Sequence, residues 1–166
     1  NRHKRVPMIV GYNRGEVNFF GNADDQKEDA DISMIVATRM FGHIQDSQNR
    51  KTYIYEFDAD IPGDDNAGSY HGSEMWFAYD ALARCDRAFT GKHYDLARQI
   101  SSYWTNFVKT GDPNGVDTFG FELPRWESFT TKDEFVMLFK DTPEVSPKKT
   151  DEKMKKIISE KAGINL

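Results

Sequence analysis

Apolar residues in this chain change their spacing again and again along the sequence, and that alternation limits the fold more than any other feature. Val6-Pro7-Met8-Ile9-Val10-Gly11-Tyr12 is a continuous apolar run closed by Gly11 and the turn-forming Asn13-Arg14-Gly15, the pattern of a short buried strand. Residues 22–31 are polar and acidic and read as a loop. Ile32, Ile35, Val36, Met40 and Ile44 then recur three or four positions apart, which predicts a helix over 32–44 with one apolar face, capped by Asp29 or Asp31. Residues 51–58 alternate and carry Thr52, Tyr53, Ile54, Tyr55 and Phe57, a second strand. Residues 61–68 hold the Pro, Gly, Asp and Asn that turns demand. Leu96, Ile100, Tyr103, Trp104 and Phe107 mark the clearest helix, over 94–109, ended by Gly111 and Pro113. A third strand is predicted over 135–139, and a last helix over 150–162 with Met154, Ile157 and Ile158 on its apolar side, stopped by Gly163.

Strand, helix, strand, helix, strand, helix is the order of an α/β fold with a largely parallel sheet. The 166 residues suit one domain with one core. They contain no internal repeat, no low-complexity tract and no linker long enough to divide them. Three strands make a narrow sheet, so its aromatic faces are expected to need further covering.

Composition excludes several functional classes. The net charge is −5, with both signs mixed along the chain. The weak basic clusters near Arg2–Arg5 and Lys148–Lys156 lack the concentrated surface and stacking aromatics of a nucleic-acid binder. No apolar run reaches membrane-spanning length. Cys85 is the only cysteine, so neither an intrachain disulfide nor a multi-cysteine metal site can form. The opening Asn1-Arg2-His3-Lys4-Arg5 is not a signal peptide. It also lacks an initiator Met, as expected of a chain cut from a longer one. The compartment, cytoplasmic or secreted, stays open.

Four histidines are present. His3 lies in the basic start and reads as solvated. His43 sits in a predicted helix and reads as a surface or boundary residue, and His93 opens a helix. His71 follows a strand and a glycine-bearing loop, with Gly72 after it and Glu74 three positions on. Such a loop is where an open α/β sheet presents reactive groups, although spacing alone favours an ordinary loop histidine. Glu16 lies just past the first strand, ahead of the apolar Val17, Phe19 and Phe20. Either it is a solvated turn residue, the commoner case, or it is buried and needs a partner. Taken together the two say more. A hydrolytic triad joins a nucleophile to an imidazole and a carboxylate, and in one large fold the chain order is Ser, then Asp or Glu, then His, each on a loop after a strand. Glu16 and His71 fill the last two places in order.

Three segments carry a family resemblance. Gly11-Tyr12-Asn13-Arg14-Gly15-Glu16-Val17-Asn18-Phe19-Phe20 resembles the acid loop of type-B carboxylesterases and cholinesterases. Tyr70-His71-Gly72-Ser73-Glu74 is similar to the family's catalytic histidine segment. Tyr103-Trp104-Thr105-Asn106-Phe107-Val108-Lys109-Thr110-Gly111-Asp112-Pro113-Asn114 is nearly verbatim the family's late helix and its exit. Trp126 stands where the family has a Trp-Pro pair. The resemblance runs from about residue 6 to about residue 139. It implies that 1–166 is the C-terminal portion of one α/β-hydrolase domain, a segment of the sheet with flanking helices that is incomplete on its own. It implies Glu16 as triad acid, His71 as general base, Glu74 as a structural neighbour, and Trp104, Phe107 and Trp126 as packing residues. The implied reaction is hydrolysis of a small-molecule carboxylic ester through an acyl-enzyme, with no metal and no organic cofactor.

The sequence also departs from the family pattern. No Gly-x-Ser-x-Gly elbow occurs in the 166 residues, and the family's Gly-Gly oxyanion segment is missing. Position 15 is Gly where Asp is common, and Val17 replaces a common Gly. The interval between acid and histidine is shorter than the family's by several tens of residues. The serine and oxyanion hole are therefore expected from an N-terminal part of the same domain, and the isolated chain is expected to be inactive. The alternative is a cholinesterase-like interaction or adhesion module that has lost catalysis.

Overall fold

All of β1, Met8–Asn13, pairs in parallel with β2, Thr52–Phe57, so that Met8 stands beside Thr52 and Asn13 beside Phe57. The computed structural model describes residues 4–16 and 24–166, with 24–33 by backbone alone. Its further elements are α1 (Asp24–Asp46), α2 (Glu74–Ala78), α3 (Gly91–Thr110), β3 (Phe135–Phe139), β4 (Pro143–Pro147) and α4 (Glu152–Ala162). A single 3-10 turn, Leu82–Arg84, lies between α2 and α3. Among the described residues one four-stranded sheet forms, in the order β1-β2-β3-β4, with β3 parallel to β2 and β4 antiparallel to β3.

The two faces of the sheet follow from the period of two along its strands. Tyr53, Tyr55 and Phe57 of β2 and Met137 and Phe139 of β3 join Leu96, Ile100 and Tyr103 of α3, with Trp126, Phe77 and Leu82, in the larger core. Ile54, Val136 and Leu138 point the other way and pack with Phe129 and Val10. On that side α1 lies against β1, β2 and α4. Trp126 is fully buried, edge-on to Tyr53, Tyr55 and Phe139, and donates its indole N–H to the Ile54 carbonyl at 3.2 Å. Trp104 and Phe107 pack beside it, as packing residues should. At Gly11 a Cβ would lie 2.3 Å from the Tyr55 ring. Only glycine lets that ring lie across β1.

Several boundaries differ from the sequence expectations. Helix α1 begins at Asp24, not at 32, so the expected loop over 22–31 is largely helical backbone, and Asp29 and Asp31 lie inside the helix rather than capping it. Gln26, Lys27, Glu28 and Ala30 are good helix formers, and Asp24 and Asp25 complement the positive end of the helix. None of these leaves an apolar stripe to read. Strand β4 went unforeseen because it is short, polar and bounded by prolines, the composition of an edge strand. Short α2, of five residues, is under two turns long and shows no repeating apolar face.

Helix α3 starts at Gly91, where the Thr90 N–H donates to His93 Nδ1 at 2.9 Å, and Gly111 closes it in the left-handed conformation. His93 Nε2 meets the Asp60 carbonyl at 3.1 Å, so this histidine ties the helix start to the β2 exit. His43, expected near the surface, is 2% exposed. Its ring stands edge-on to Phe129 at 5.0 Å, and its Nδ1 meets Thr131 Oγ1 at 3.1 Å. The expectations for His3, Val17, Phe19 and Phe20 fall outside the described residues, as does that for the Ile32 side chain. Among the described residues no helix is long and apolar enough to cross a membrane.

Candidate functional site

Because β1 and β2 run in parallel, their C-terminal ends open onto the same edge of the sheet. Past the last rung the chain after β1 stays paired for a little longer. The Arg14 N–H donates to the Phe57 carbonyl at 2.9 Å, and the Gly15 N–H donates to the Ser69 carbonyl at 3.1 Å. Gly15 is bridged to Tyr70 in a parallel sense. Sequence positions far apart are thereby laid side by side, with Glu16 next to one neighbour of this bridge and His71 next to the other.

The two candidate residues meet. His71 Nδ1 and Glu16 Oε2 are 2.5 Å apart. The other oxygen, Oε1, accepts the Asn13 backbone N–H at 2.8 Å. Glu16 is 9% exposed, so the solvated reading of this residue gives way to the buried one, and His71 is the partner that burial requires. The His71 side chain is 57% exposed. With Nδ1–H directed at a carboxylate, the basic position of the neutral ring is Nε2.

The histidine loop is braced from both sides. Upstream, Arg87 donates to both carboxylate oxygens of Asp65, at 2.8 and 3.0 Å, and to the Pro62 carbonyl at 2.9 Å. The same guanidinium lies 5.5 Å from the centre of the Tyr70 ring, which also meets Trp76 edge-on. Downstream, Gly72 takes a φ of +80°, in the left-handed region where a side chain is strained. That turn lets the Ser73 N–H and hydroxyl both donate to the Tyr70 carbonyl, at 3.0 and 2.7 Å. Helix α2 begins at Glu74, whose Oε2 accepts from Asn13 Nδ2 at 2.5 Å. Burial, and then the Glu74 and Glu16 carboxylates, push the Tyr55 hydroxyl well above its ordinary range.

Sequence reasoning did not single out Asn13, Tyr70 or Arg87 as parts of this site. Asn13 read as a turn former and Arg87 carried no pattern. Their roles arise from contacts between positions tens of residues apart, which spacing does not encode. A separate cavity of about 220 Å³ is lined by Tyr12, Asn13, Arg14, Ile35, Glu56 and Lys148. There Glu56 accepts from the Tyr12 hydroxyl at 2.7 Å and from Lys148 at 2.5 Å. Among the described residues no group of three or more His, Cys, Asp or Glu is arranged to hold a metal ion.

Residues 30–158 match the family described as the carboxylesterase family, a span that includes His71 and begins after Glu16. The chain is 30% identical over 113 residues to carboxylesterase 4A of Bos taurus, covering 66% of this chain and 20% of that protein. It is 35% identical over 83 residues to acetylcholinesterase of Gallus gallus, covering 48% of this chain and 10% of that protein. The chain thus spans a fifth or less of the length of these two relatives. Among solved structures, a PNB esterase superposes with a TM-score of 0.66 at 18% identity, over 83% of this chain and 35% of that one. The carboxylesterase of Geobacillus stearothermophilus gives 0.66 at 20% identity, over 84% and 36%. These likenesses show the fold, that of the α/β-hydrolases, of which this sheet and its helices form one segment.

Proposed function

The chain belongs to the carboxylesterase family, and from that premise we propose that Glu16 and His71 are the acid and the general base of a Ser-Glu-His triad. The serine and the oxyanion hole come from an N-terminal part of the same hydrolase domain, and 1–166 is its C-terminal portion. The substrate is a small-molecule carboxylic ester. The observation that carries this reading is the 2.5 Å contact of Glu16 Oε2 with His71 Nδ1 at the shared C-terminal edge of two parallel strands. It favours a hydrolase over a non-catalytic adhesion module, in which nothing requires an imidazole to be held by a buried carboxylate.

In this scheme His71 Nε2 takes the serine proton as the serine oxygen bonds to the ester carbonyl carbon. The proton passes to the departing alkoxide, which leaves as the alcohol, and the acyl group stays on the serine. Water then attacks the acyl carbon and gives its proton to His71. The serine oxygen leaves as the acid forms and takes that proton back. Glu16 keeps the imidazole in the tautomer with Nδ1–H and stabilises the transient imidazolium. The remainder of the domain pairs at β1, one edge of the four-stranded sheet, since an open strand edge seeks a partner.

The test is hydrolysis of p-nitrophenyl acetate by the full-length protein and by the isolated chain. Activity is expected in the full-length protein alone. Equal activity in both would overturn the division of labour between the two parts.

A further inference from the structure

Asn13 bonds Glu16 and two residues that flank His71, and it has no part in the triad scheme. Its backbone N–H donates to Glu16 Oε1 at 2.8 Å. Its side-chain Nδ2 donates to the Tyr70 carbonyl at 2.7 Å and to Glu74 Oε2 at 2.5 Å. Tyr70 directly precedes His71, and Glu74 follows it by three positions. One residue at the end of β1 therefore grips the acid with its main chain and both flanks of the base with its side chain.

The orientation of the amide follows from its surroundings. Both groups it faces, a carbonyl and a carboxylate, only accept, so the nitrogen must face them. The side-chain oxygen is then turned away, and among the described residues it is buried with no hydrogen-bond partner. Asn13 is 1% exposed. A residue serving only to fill space would avoid the penalty of an unsatisfied buried oxygen. An aspartate here would set a third carboxylate against Glu74. A leucine would leave the Tyr70 carbonyl and Glu74 without this donor.

We propose that Asn13 is a positioning residue that fixes the distance between Glu16 and His71 by hydrogen bonding to the acid and to both sides of the histidine. It acts through those two residues and touches no reacting atom. The inference rests on the triad reading and adds to it the device that keeps two separately built loops in register. A misplacement of about 1 Å in such a constellation costs roughly a hundredfold in rate. The neighbouring Gly15–Ser69 bond is made by backbone alone and limits how far the loops part when the amide is lost.

The test compares Asn13→Ala, Asn13→Ser and His71→Ala in the full-length hydrolase, with p-nitrophenyl acetate as substrate. Asn13→Ala is expected to lower kcat about tenfold to a hundredfold, with KM changed less than about twofold. The far-downfield proton resonance of His71 Nδ1–H, expected of so short a hydrogen bond, should weaken or move upfield. Asn13→Ser keeps one donor and should fall between. Should the alanine variant fail to fold, the serine variant decides by the same readouts. A fall in thermal midpoint with kcat and the resonance unchanged would make Asn13 structural only and overturn the proposal. His71→Ala separates the two readings. Full activity there removes the triad itself, whereas loss there without loss in Asn13→Ala removes only the clamp.

Discussion

Glu16 Oε2 stands 2.5 Å from His71 Nδ1 although 55 positions of sequence separate the two residues. On the triad reading the carboxylate holds the ring tautomer. Glu16→Gln in the full-length protein should keep the fold and lower kcat about 10⁴-fold, the scale seen when a triad carboxylate becomes an amide. His71→Ala should cost at least as much, and the double variant little more than His71→Ala alone, because the members act as a unit. Losses that multiplied in the double variant would argue that the residues act separately. The check is steady-state kinetics on p-nitrophenyl acetate.

Gly11 is predicted to tolerate no side chain. A Cβ there would sit 2.3 Å from Tyr55 Cδ1 and 2.4 Å from two further ring atoms, and Tyr55 is itself packed between Trp104, Trp126 and Phe139. Gly11→Ala should cost about 1–3 kcal/mol through overpacking, read as a lowered thermal midpoint. An unchanged midpoint would mean that the ring can move aside.

Burial holds the His43 imidazole below its ordinary value, against the pull of Glu134 and Asp46 and with help from Arg39 and Lys155. A histidine depressed in the fold and near 6.5 when unfolded contributes its full stability above about 6.5. That contribution falls as the pH drops through the window down to the folded value, because the unfolded chain takes up the proton first. Thermal midpoints of the full-length protein should therefore drop between about pH 7 and pH 5 more steeply than those of His43→Gln. Parallel curves for the two proteins would refute this.

Glu56 is 4% exposed and lies between the Tyr12 hydroxyl and Lys148. Burial alone would raise its carboxyl, but the hydrogen bonds from Lys148 and Tyr12 outweigh it and hold the group below its ordinary value. Lys148→Met removes the cation and leaves a buried carboxylate. The Lys148 side chain is 35% exposed, so the loss should be about 1–3 kcal/mol, under the ~3–5 kcal/mol of a fully buried pair. Adding Glu56→Gln should recover part of it, measured as chemical-denaturation midpoints. A double variant less stable than Lys148→Met would contradict this account.

What could be read from the sequence was whatever repeats or punctuates. Periodicity located β1, β2, β3, α3 and α4 within a few residues, because each carries a run of Ile, Val, Phe or Tyr at its own spacing. Gly111 and Gly163 stop α3 and α4 in the left-handed conformation, where glycine was expected. The first turns of α1 are amphipathic in no visible sense, so their helicity stayed hidden. The burial of His43 depends on Phe129 and Thr131, residues brought to it by the fold. In the site, Glu16 and His71 were legible as a pair through order and loop context. The supports were not. Asn13 acts through an amide whose partners come within reach because β1 lies beside β2, and Arg87 through a guanidinium that meets Pro62, Asp65 and Tyr70 from positions about twenty residues away.

Strand β4 also sets the direction in which this sheet can be extended. The Phe139 carbonyl accepts from the Asp58 N–H on the β2 side, so in its pair with Phe139 the backbone of Pro143 faces outward. Pro147, four residues on, faces outward too, and proline has no N–H to offer a newcomer. Only Val145 presents a donor there. A stray strand thus finds one outward N–H at β4, whereas at β1 the N–H groups of Ile9 and Gly11 face outward and that of Asn13 is taken by Glu16, and recruitment of further chain is steered to the β1 flank.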